Sequence, residues 1–199
     1  MKTPISILII IIIFSCSPKE KYNYNINERK KDINDIINTL INNEELGDTK
    51  ILSSLRKVNI LFDKKEFYNE GLDILITDSE FEIPYTTLIN PNNPFGFFEK
   101  NEIDFLKVQN NNTPDTVFLD KSYFNKDSFI EPQVILRSKK FNYPSYIEYT
   151  IPIFSKDKKL AYVKEGYHCG GLCGGGKEYI LKKLKGKWVI IDSWNTWIA

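Results

Sequence analysis

The stretches that decide the fold lie in the last third of the chain: YIEYTIPIF over residues 146–154, KLAYVKEGYH over 159–168, EYILKKL over 178–184 and WVIIDSW over 188–194. All four are rich in aromatic and β-branched residues, and turn-forming residues separate them, which is typical of strands. The connections at 155–158 and 185–187 are as short as hairpin loops. These runs predict an antiparallel β-meander. Because Pro152 lacks a backbone donor, we expect the first strand to lie at an edge or to contain a bulge.

An amphipathic helix is predicted upstream, between Glu28 and Leu46. Its apolar residues recur at the spacing of one helix face: Ile33, Ile36, Ile37, Leu40 and Ile41. Gly47 stands where a glycine commonly follows the end of a helix. Between this helix and the meander, strands are predicted at Lys57–Phe62, Leu72–Thr77 and Thr116–Leu119. A second helix is predicted at Glu99–Gln109. The sequence therefore predicts an α+β fold, with an N-terminal amphipathic helix and a meander in the C-terminal third.

Composition and charge limit the classes of function. The chain has 199 residues, 27 Lys and Arg against 26 Asp and Glu, and a formal charge of +1. A chain without a basic excess has no electrostatic attraction for polyanions, so we expect no nucleic-acid partner. Apolar residues make up 42% of the chain, which indicates a folded body. Its length suits one domain.

The N-terminus carries an export signal. Lys2 precedes ten mainly apolar residues, Ile5 to Phe14, which match the hydrophobic region of a signal peptide. A helix of that length would cover about 15 Å, half of the ~30 Å hydrocarbon core, so it cannot span a membrane. Ile13-Phe14-Ser15-Cys16 resembles the lipobox of bacterial lipoproteins.

The lipobox resemblance implies cleavage before Cys16 and lipidation of that cysteine. Residues 1–15 would then be a signal peptide, residues 16–27 the lipidated cysteine with a flexible tether, and residues 28–199 a single α+β domain. Several acyl chains give stable anchoring where one gives only reversible binding. The resemblance places the protein in the bacterial cell envelope, at the outer membrane, facing the periplasm or the cell surface. The membrane is its one predicted partner.

One segment concentrates the reactive residues. Residues 167–176 contain His168, which is the only histidine, and the two remaining cysteines, Cys169 and Cys173. In an oxidising compartment two leftover thiols favour a disulfide. The alternative is a soft-metal site in which His168 joins both thiolates. A third interpretation makes one cysteine a nucleophile with His168 as base, although adjacent strand residues point to opposite faces.

Aromatic residues are frequent on the predicted meander. They are Tyr162, Tyr179, Trp188, Trp194 and Trp197. Such residues could form a ligand platform, but on a small sheet they more often belong to the core, and we predict a core position.

The end of the chain carries a second resemblance. Cys169 to Gly174, then Gly186-Lys187-Trp188 and finally Trp197-Ile198, is similar to a signature of uncharacterised lipoproteins from the Bacteroidetes group. The resemblance implies a location and no activity. A helix followed by a curved meander also resembles nuclear transport factor 2-like domains, which implies a fold alone.

The sequence favours a non-enzymatic binding or structural module of the envelope, with no cofactor and an unidentified ligand. The alternatives are a soft-metal or redox protein that uses His168, Cys169 and Cys173, and an envelope hydrolase. A cleft that holds two or more acidic residues beside Trp or Tyr would favour the hydrolase.

Overall fold

A computed structural model describes residues 22–44, 46–62, 81–89, 97–124, 128–138, 144–170 and 173–198. The predicted signal peptide, Cys16 and the predicted strand Leu72–Thr77 lie outside these ranges. No helix in the described part of the chain has the length and apolar character needed to cross a bilayer.

Four helices and eleven strands occur in the described ranges. The helices are α1 (Lys30–Ile41), α2 (Tyr85–Ile89), α3 (Ile103–Asn112) and α4 (Pro132–Arg137). The strands are β1 (Lys50–Leu52), β2 (Ser54–Arg56), β3 (Asn59–Leu61), β4 (Glu82–Pro84), β5 (Thr116–Phe118), β6 (Phe129–Ile130), β7 (Tyr146–Tyr149), β8 (Ile153–Phe154), β9 (Leu160–His168), β10 (Gly174–Leu184) and β11 (Lys187–Ile198). Short 3-10 turns lie at Ile26–Arg29, Lys100–Glu102 and Lys121–Tyr123.

The main sheet has seven strands in the order β11-β10-β9-β7-β1-β6, and β8 pairs with β9 beside β7. The pairs β9–β10 and β10–β11 are antiparallel, whereas β1 runs parallel to β6 and β7. Two further two-stranded ribbons pair β2 with β5 and β3 with β4. The predicted α+β class and the C-terminal meander are confirmed.

The first strand of the meander is interrupted at Pro152. β7 and β8 both pair with β9, and the Thr150 amide still donates to the Lys164 carbonyl oxygen, but residues 151–152 leave the ladder. The Ile151 amide donates instead to the carbonyl oxygen of Arg56, at 2.8 Å. Pro152, which has no backbone donor, therefore lies where the strand is interrupted. This arrangement is close to the bulge that the sequence predicted.

The helix α1 covers one face of the sheet. Its core residues Ile33, Ile36, Ile37 and Leu40 are at most 1% exposed, and they pack with residues of β7, β9 and β10. The helix ends at Ile41, earlier than predicted, and Asn42 is its C-cap. Gly47 has a φ of +51° and lies in the turn before β1, so it does not directly follow the helix. The prediction for its position was wrong.

The body begins earlier than residue 28. Tyr24, placed in the predicted tether, is 6% exposed and packs edge-on against Phe105 of α3. Asn25 caps the 3-10 turn Ile26–Arg29 by accepting from the Asn27 amide. Residues 22–27 therefore belong to the packed domain.

The opposite face of the sheet carries a second core. Tyr162 is fully buried there with Ile60, Leu88 and Leu106. The predicted helix Glu99–Gln109 is found as a 3-10 turn followed by α3, which extends to Asn112. The strand predicted at Thr116–Leu119 is found as β5, and only Asn59–Leu61 of Lys57–Phe62 is a strand. Both faces of the sheet are thus covered.

Candidate functional site

The loop that joins β9 to β10 brings the two cysteines together. The Cα atoms of Cys169 and Cys173 are 5.2 Å apart, and their sulfur atoms are at bonding distance. The Cys169 amide donates to the Cys173 carbonyl oxygen, and Gly170 has a φ of +85°, a conformation that glycine adopts without strain. The loop therefore folds back as a disulfide requires.

His168 is directed away from the cysteines. Its ring stacks on Tyr146 with centroids 4.6 Å apart, and its Nε2 is 3.7 Å from Oε2 of Glu148 on β7. No group of three or more His, Cys, Asp or Glu side chains among the described residues is arranged to hold a metal ion. The proposed ligand set of His168, Cys169 and Cys173 is thus not assembled, because the sulfurs pair with each other and the imidazole contacts another strand.

A cavity of about 360 Å³ opens next to this loop. It lies between the ends of β7, β9, β10 and β11 and the connection from α1 to β1. Its lining includes two carboxylates, one ammonium group and one indole, from Glu44, Glu165, Lys177 and Trp197. The volume falls in the range of small-molecule sites, and the mixture of polar and apolar walls is typical of them.

Tyr179 connects the two carboxylates. Its hydroxyl oxygen is 2.6 Å from Oε1 of Glu44 and 2.7 Å from Oε2 of Glu165. The hydroxyl has one proton, which the two carboxylate oxygens share as acceptors. Nζ of Lys177 lies 3.0 Å from the same Oε1 of Glu44 and favours the negative charge there.

Glu165 is nearly buried, with 9% of its surface exposed. Burial raises the pKa of its carboxyl group above the usual value, and the charge of Glu44 acts in the same direction. Hydrogen bonds from Tyr179 and Tyr149 and the charge of Lys177 oppose the rise. Glu165 and Tyr179 therefore form a hydrogen-bonded pair at the wall of the cavity, next to the ion pair of Glu44 and Lys177.

The glycine run makes room for the indole of Trp197. In the register of β10 and β11, Gly176 pairs with Trp197. A Cβ atom on Gly176 would lie 2.1 Å from Nε1 of Trp197, and one on Gly174 would lie 3.1 Å from its six-membered ring. Both distances are too short for a side chain to be accommodated without movement. The glycines after Cys173 thus make room for the indole on the face of β10 that Gly174 and Gly176 share with Glu178.

The predicted core positions of the aromatic residues are confirmed for three of the five. Tyr162, Tyr179 and Trp188 are at most 4% exposed. Trp194 and Trp197 are only partly buried, and Trp197 lines the cavity.

Sequence reasoning missed the carboxylates of the cavity. Ala161, Val163 and Glu165 share one face of β9, because strand side chains alternate. Ala161 and Val163 are fully buried in the core against α1. The one signal for the cavity in the sequence was a glutamate on the same strand face as two apolar residues. No sequence pattern connected Glu44, which lies far away in the chain, with this face.

The chain matches no protein-family model, no curated protein and no solved structure.

Proposed function

We propose that the protein is a lipid-anchored component of the bacterial cell envelope whose folded domain binds a small polar ligand. The cavity beside the Cys169–Cys173 loop is the binding site, and membrane attachment is through Cys16. The observation that carries the binding role is the cavity itself: Glu165 is nearly buried at its wall, hydrogen-bonded to Tyr179, and next to Trp197. Such a convergence of polar groups with an aromatic side chain is characteristic of ligand sites.

Binding is favoured over hydrolysis by the position of Tyr179. In glycoside hydrolases, two carboxyl groups flank the scissile bond and act on it from opposite sides. Here the facing oxygens of Glu44 and Glu165 both contact the Tyr179 hydroxyl. The tyrosine occupies the space in which a scissile bond would lie. The network thus holds both carboxyl groups on the tyrosine and not on opposite sides of an open space.

Ligand-observed NMR with a fragment library tests the binding role. Full-length protein in zwitterionic detergent micelles is compared with the Trp197→Ala variant. We expect a set of fragments that bind the wild-type protein and lose binding in the variant. An equal set of hits for both proteins, or no hits at all, would contradict the cavity as the site.

Envelope anchoring is tested separately by metabolic labelling with radioactive palmitate. The wild-type protein should incorporate the label and partition with membranes. Cys16→Ala should remain unlabelled and keep residues 1–15. Labelling of the Cys16→Ala variant would overturn the anchor without affecting the proposed binding site.

An envelope hydrolase is the second candidate, because the cavity holds two carboxylates beside Trp197 and Tyr167, as that hypothesis requires. Its test is turnover of the glycans or peptides that bind. Release of product that is lost in both Glu44→Gln and Glu165→Gln would favour it over binding alone.

A further inference from the structure

We infer that one end of the meander, which is rich in lysine, docks on the anionic headgroups of the membrane that holds the Cys16 anchor. The inference rests on the anchoring part of the proposed function, and it adds a protein surface that contacts the bilayer and an orientation of the domain. Two observations carry it: where the positive charge of the chain lies, and where the chain enters the folded domain.

Two neighbouring turns concentrate the positive charge. One joins β8 to β9 over residues 155–159, and the other surrounds the connection from β10 to β11, over residues 182–187. The Lys183 amide donates to the Lys159 carbonyl oxygen at 2.8 Å, so the two turns lie side by side. Together they hold seven of the 27 Lys and Arg residues of the chain, and we call this set the lysine end: Lys156, Lys158, Lys159, Lys182, Lys183, Lys185 and Lys187.

The acidic groups described at the lysine end are fewer. They are Asp157 within the turns, Asp32 against Lys183, and Glu99 and Glu102 beside Lys156. Glu102 is only 7% exposed, whereas six of the seven lysines are exposed. The formal charge of +1 for the whole chain therefore hides a local positive surface. Such a surface is attracted to anionic lipids.

Leu184 adds an apolar group to this surface. It is 48% exposed and stands between Lys183 and Lys185 at the end of β10. An anionic bilayer offers negative charge at its surface and an apolar layer directly below it. Lysines that surround an exposed leucine fit both layers, because the ammonium groups reach the headgroups while the leucine reaches the acyl boundary.

The chain enters the domain at the same end. Nζ of Lys156 lies 4.8 Å from the centre of the Tyr22 ring, and Tyr22 is the first residue that the structure describes. Cys16 precedes Tyr22 by six residues, which span at most about 20 Å when fully extended. A lipid on Cys16 therefore keeps the lysine end close to the bilayer. A short tether gives a high effective concentration, so even weak contacts with the headgroups suffice for docking.

The cavity lies at the other end of the same strands. β9 begins at Leu160, next to the lysine end, and reaches the cavity at Tyr167, about 23 Å further along the strand. The paired strands β10 and β11 extend between the same two ends. Docking through the lysine end thus directs the cavity away from the membrane, toward the aqueous compartment that supplies its ligand.

Protection of lysine amines tests the docking. Full-length lipidated protein is reconstituted into vesicles of phosphatidylcholine alone or of phosphatidylcholine with phosphatidylglycerol. A water-soluble acetylating reagent is added, and mass spectrometry gives the reaction rate of each lysine. We expect Lys158, Lys185 and Lys187 to react about tenfold more slowly on the anionic vesicles. Lys107 and Lys121, which are exposed outside the lysine end, should change by less than about twofold, because headgroup attraction decays within a Debye length.

Matched variants locate the surface. Lys185→Gln with Lys187→Gln removes two charges from the lysine end and should raise the rate at Lys158 on anionic vesicles by about fivefold. Lys107→Gln with Lys121→Gln removes the same charge elsewhere and should leave Lys158 protected. Equal loss of protection in both double variants would overturn the lysine end as the docking surface.

The outcomes separate this inference from the proposed function. Equal rates on the two kinds of vesicle, in protein that palmitate labels at Cys16, would overturn docking and leave the anchor standing. Protection of Lys107 and Lys121 in place of Lys158 would overturn it as well, since another face would then lie on the bilayer. Equal protection by glycerol 3-phosphate or a DNA duplex, added to phosphatidylcholine vesicles, would overturn the membrane as the partner. Protection on anionic vesicles without palmitate labelling would overturn the anchor and support a surface that binds the bilayer by itself.

Discussion

Two buried glutamates lie on opposite faces of the β9–β10 hairpin, and they have different partners. Glu178 is 8% exposed, and its Oε1 is 3.7 Å from Nζ of Lys164, another nearly buried group. Glu165 is 9% exposed and is hydrogen-bonded to Tyr179. Glu178 faces the second core beside Tyr162, whereas Glu165 faces the cavity. Two glutamates of similar exposure therefore lie in a closed core on one face and at an open cavity on the other.

The difference separates a structural carboxylate from a binding one. Burial raises the pKa of Glu178 as well, and the charge of Lys164 opposes the rise. Around Glu165, the ammonium of Lys177 is engaged by Glu44 instead. Glu178 therefore has a lysine of its own, whereas Glu165 is held by the Tyr179 hydroxyl.

The largest expected effect comes from Glu178→Gln. Removal of one partner from a buried ion pair leaves the other charge uncompensated, so we expect the free energy of unfolding to fall by about 3 kcal/mol. Glu165→Gln is the matched variant on the other face. Its side-chain amide oxygen can still accept from the Tyr179 hydroxyl, so the change should cost less than about 1 kcal/mol. Urea unfolding of both variants at pH 7 measures the difference.

Equal losses for Glu178→Gln and Glu165→Gln would show that the contact with Lys164 contributes no more than the hydrogen bond to Tyr179. The comparison between the two faces would then be wrong. A double variant, Lys164→Met with Glu178→Gln, serves as control. It should recover part of the loss, because the buried ammonium is removed together with its partner.

The next effect concerns the disulfide at the rim of the cavity. Cys169→Ser with Cys173→Ser should lower the free energy of unfolding by about 2 kcal/mol, since closure of a short loop restricts the unfolded chain only modestly. The loop directly precedes the β10 residues that line the cavity, so binding of the fragments should also weaken. Reduction of the wild-type protein with dithiothreitol should reproduce both changes. Reduction should lower the free energy of unfolding of Glu178→Gln by the same amount as that of wild type. No change in affinity on reduction would separate the loop from the cavity.

A smaller effect is expected from the glycines that make room for Trp197. Gly176→Ala places a Cβ atom against Trp197 and should cost about 1–2 kcal/mol through overpacking, together with a loss of ligand binding. Gly175→Ala is the control, because its Cβ atom would lie 3.5 Å from the nearest atom, the Trp197 carbonyl oxygen, which is an ordinary contact. Urea unfolding and ligand-binding measurements on both variants test this prediction. If both behave alike, the indole does not depend on these glycines.

Local patterns predicted most of the fold. The meander and α1 were found because strand and helix periodicities are set by neighbouring residues. Errors lay at the ends of elements. α1 stops at Ile41, where the asparagines that follow have low helix propensity. β10 begins at Gly174, since the glycines that indicated a turn pair with β9 and β11 and leave space for an indole.

The cavity could be predicted only in part. The cysteine loop was recognised from composition and compartment, but His168 turned out to contact Glu148 of β7, a partner set by the sheet order. The contact between Glu44 and Tyr179 joins the end of α1 to β10 across 135 positions. No local pattern encodes such a contact. A buried charge on an apolar strand face was the only trace of it, at Glu165.

The smallest expected effect is a dependence on pH that has opposite signs at two carboxylates. Burial raises the pKa of Glu165 in the folded protein, so the folded state binds this proton more tightly than the unfolded chain does. The stabilisation is complete below the ordinary glutamate pKa of 4.5 and is lost as the pH rises through the folded value. The difference in unfolding free energy between wild type and Glu165→Gln should therefore favour wild type most at acidic pH and decline toward neutral pH.

Asp32 on α1 provides the contrast for that measurement. Burial acts to raise its pKa, but hydrogen bonds from Lys183 and Trp188 outweigh burial and lower it below 3.8. The stabilisation from Asp32 is therefore present above that value and lost as the pH falls through the lower folded value. The difference in unfolding free energy between wild type and Asp32→Asn should thus decline toward acidic pH. The difference between wild type and Glu165→Gln should change in the opposite direction. Parallel slopes for the two variants would mean that folding lowers the pKa of Glu165, so that its hydrogen bonds and the charge of Lys177 outweigh burial.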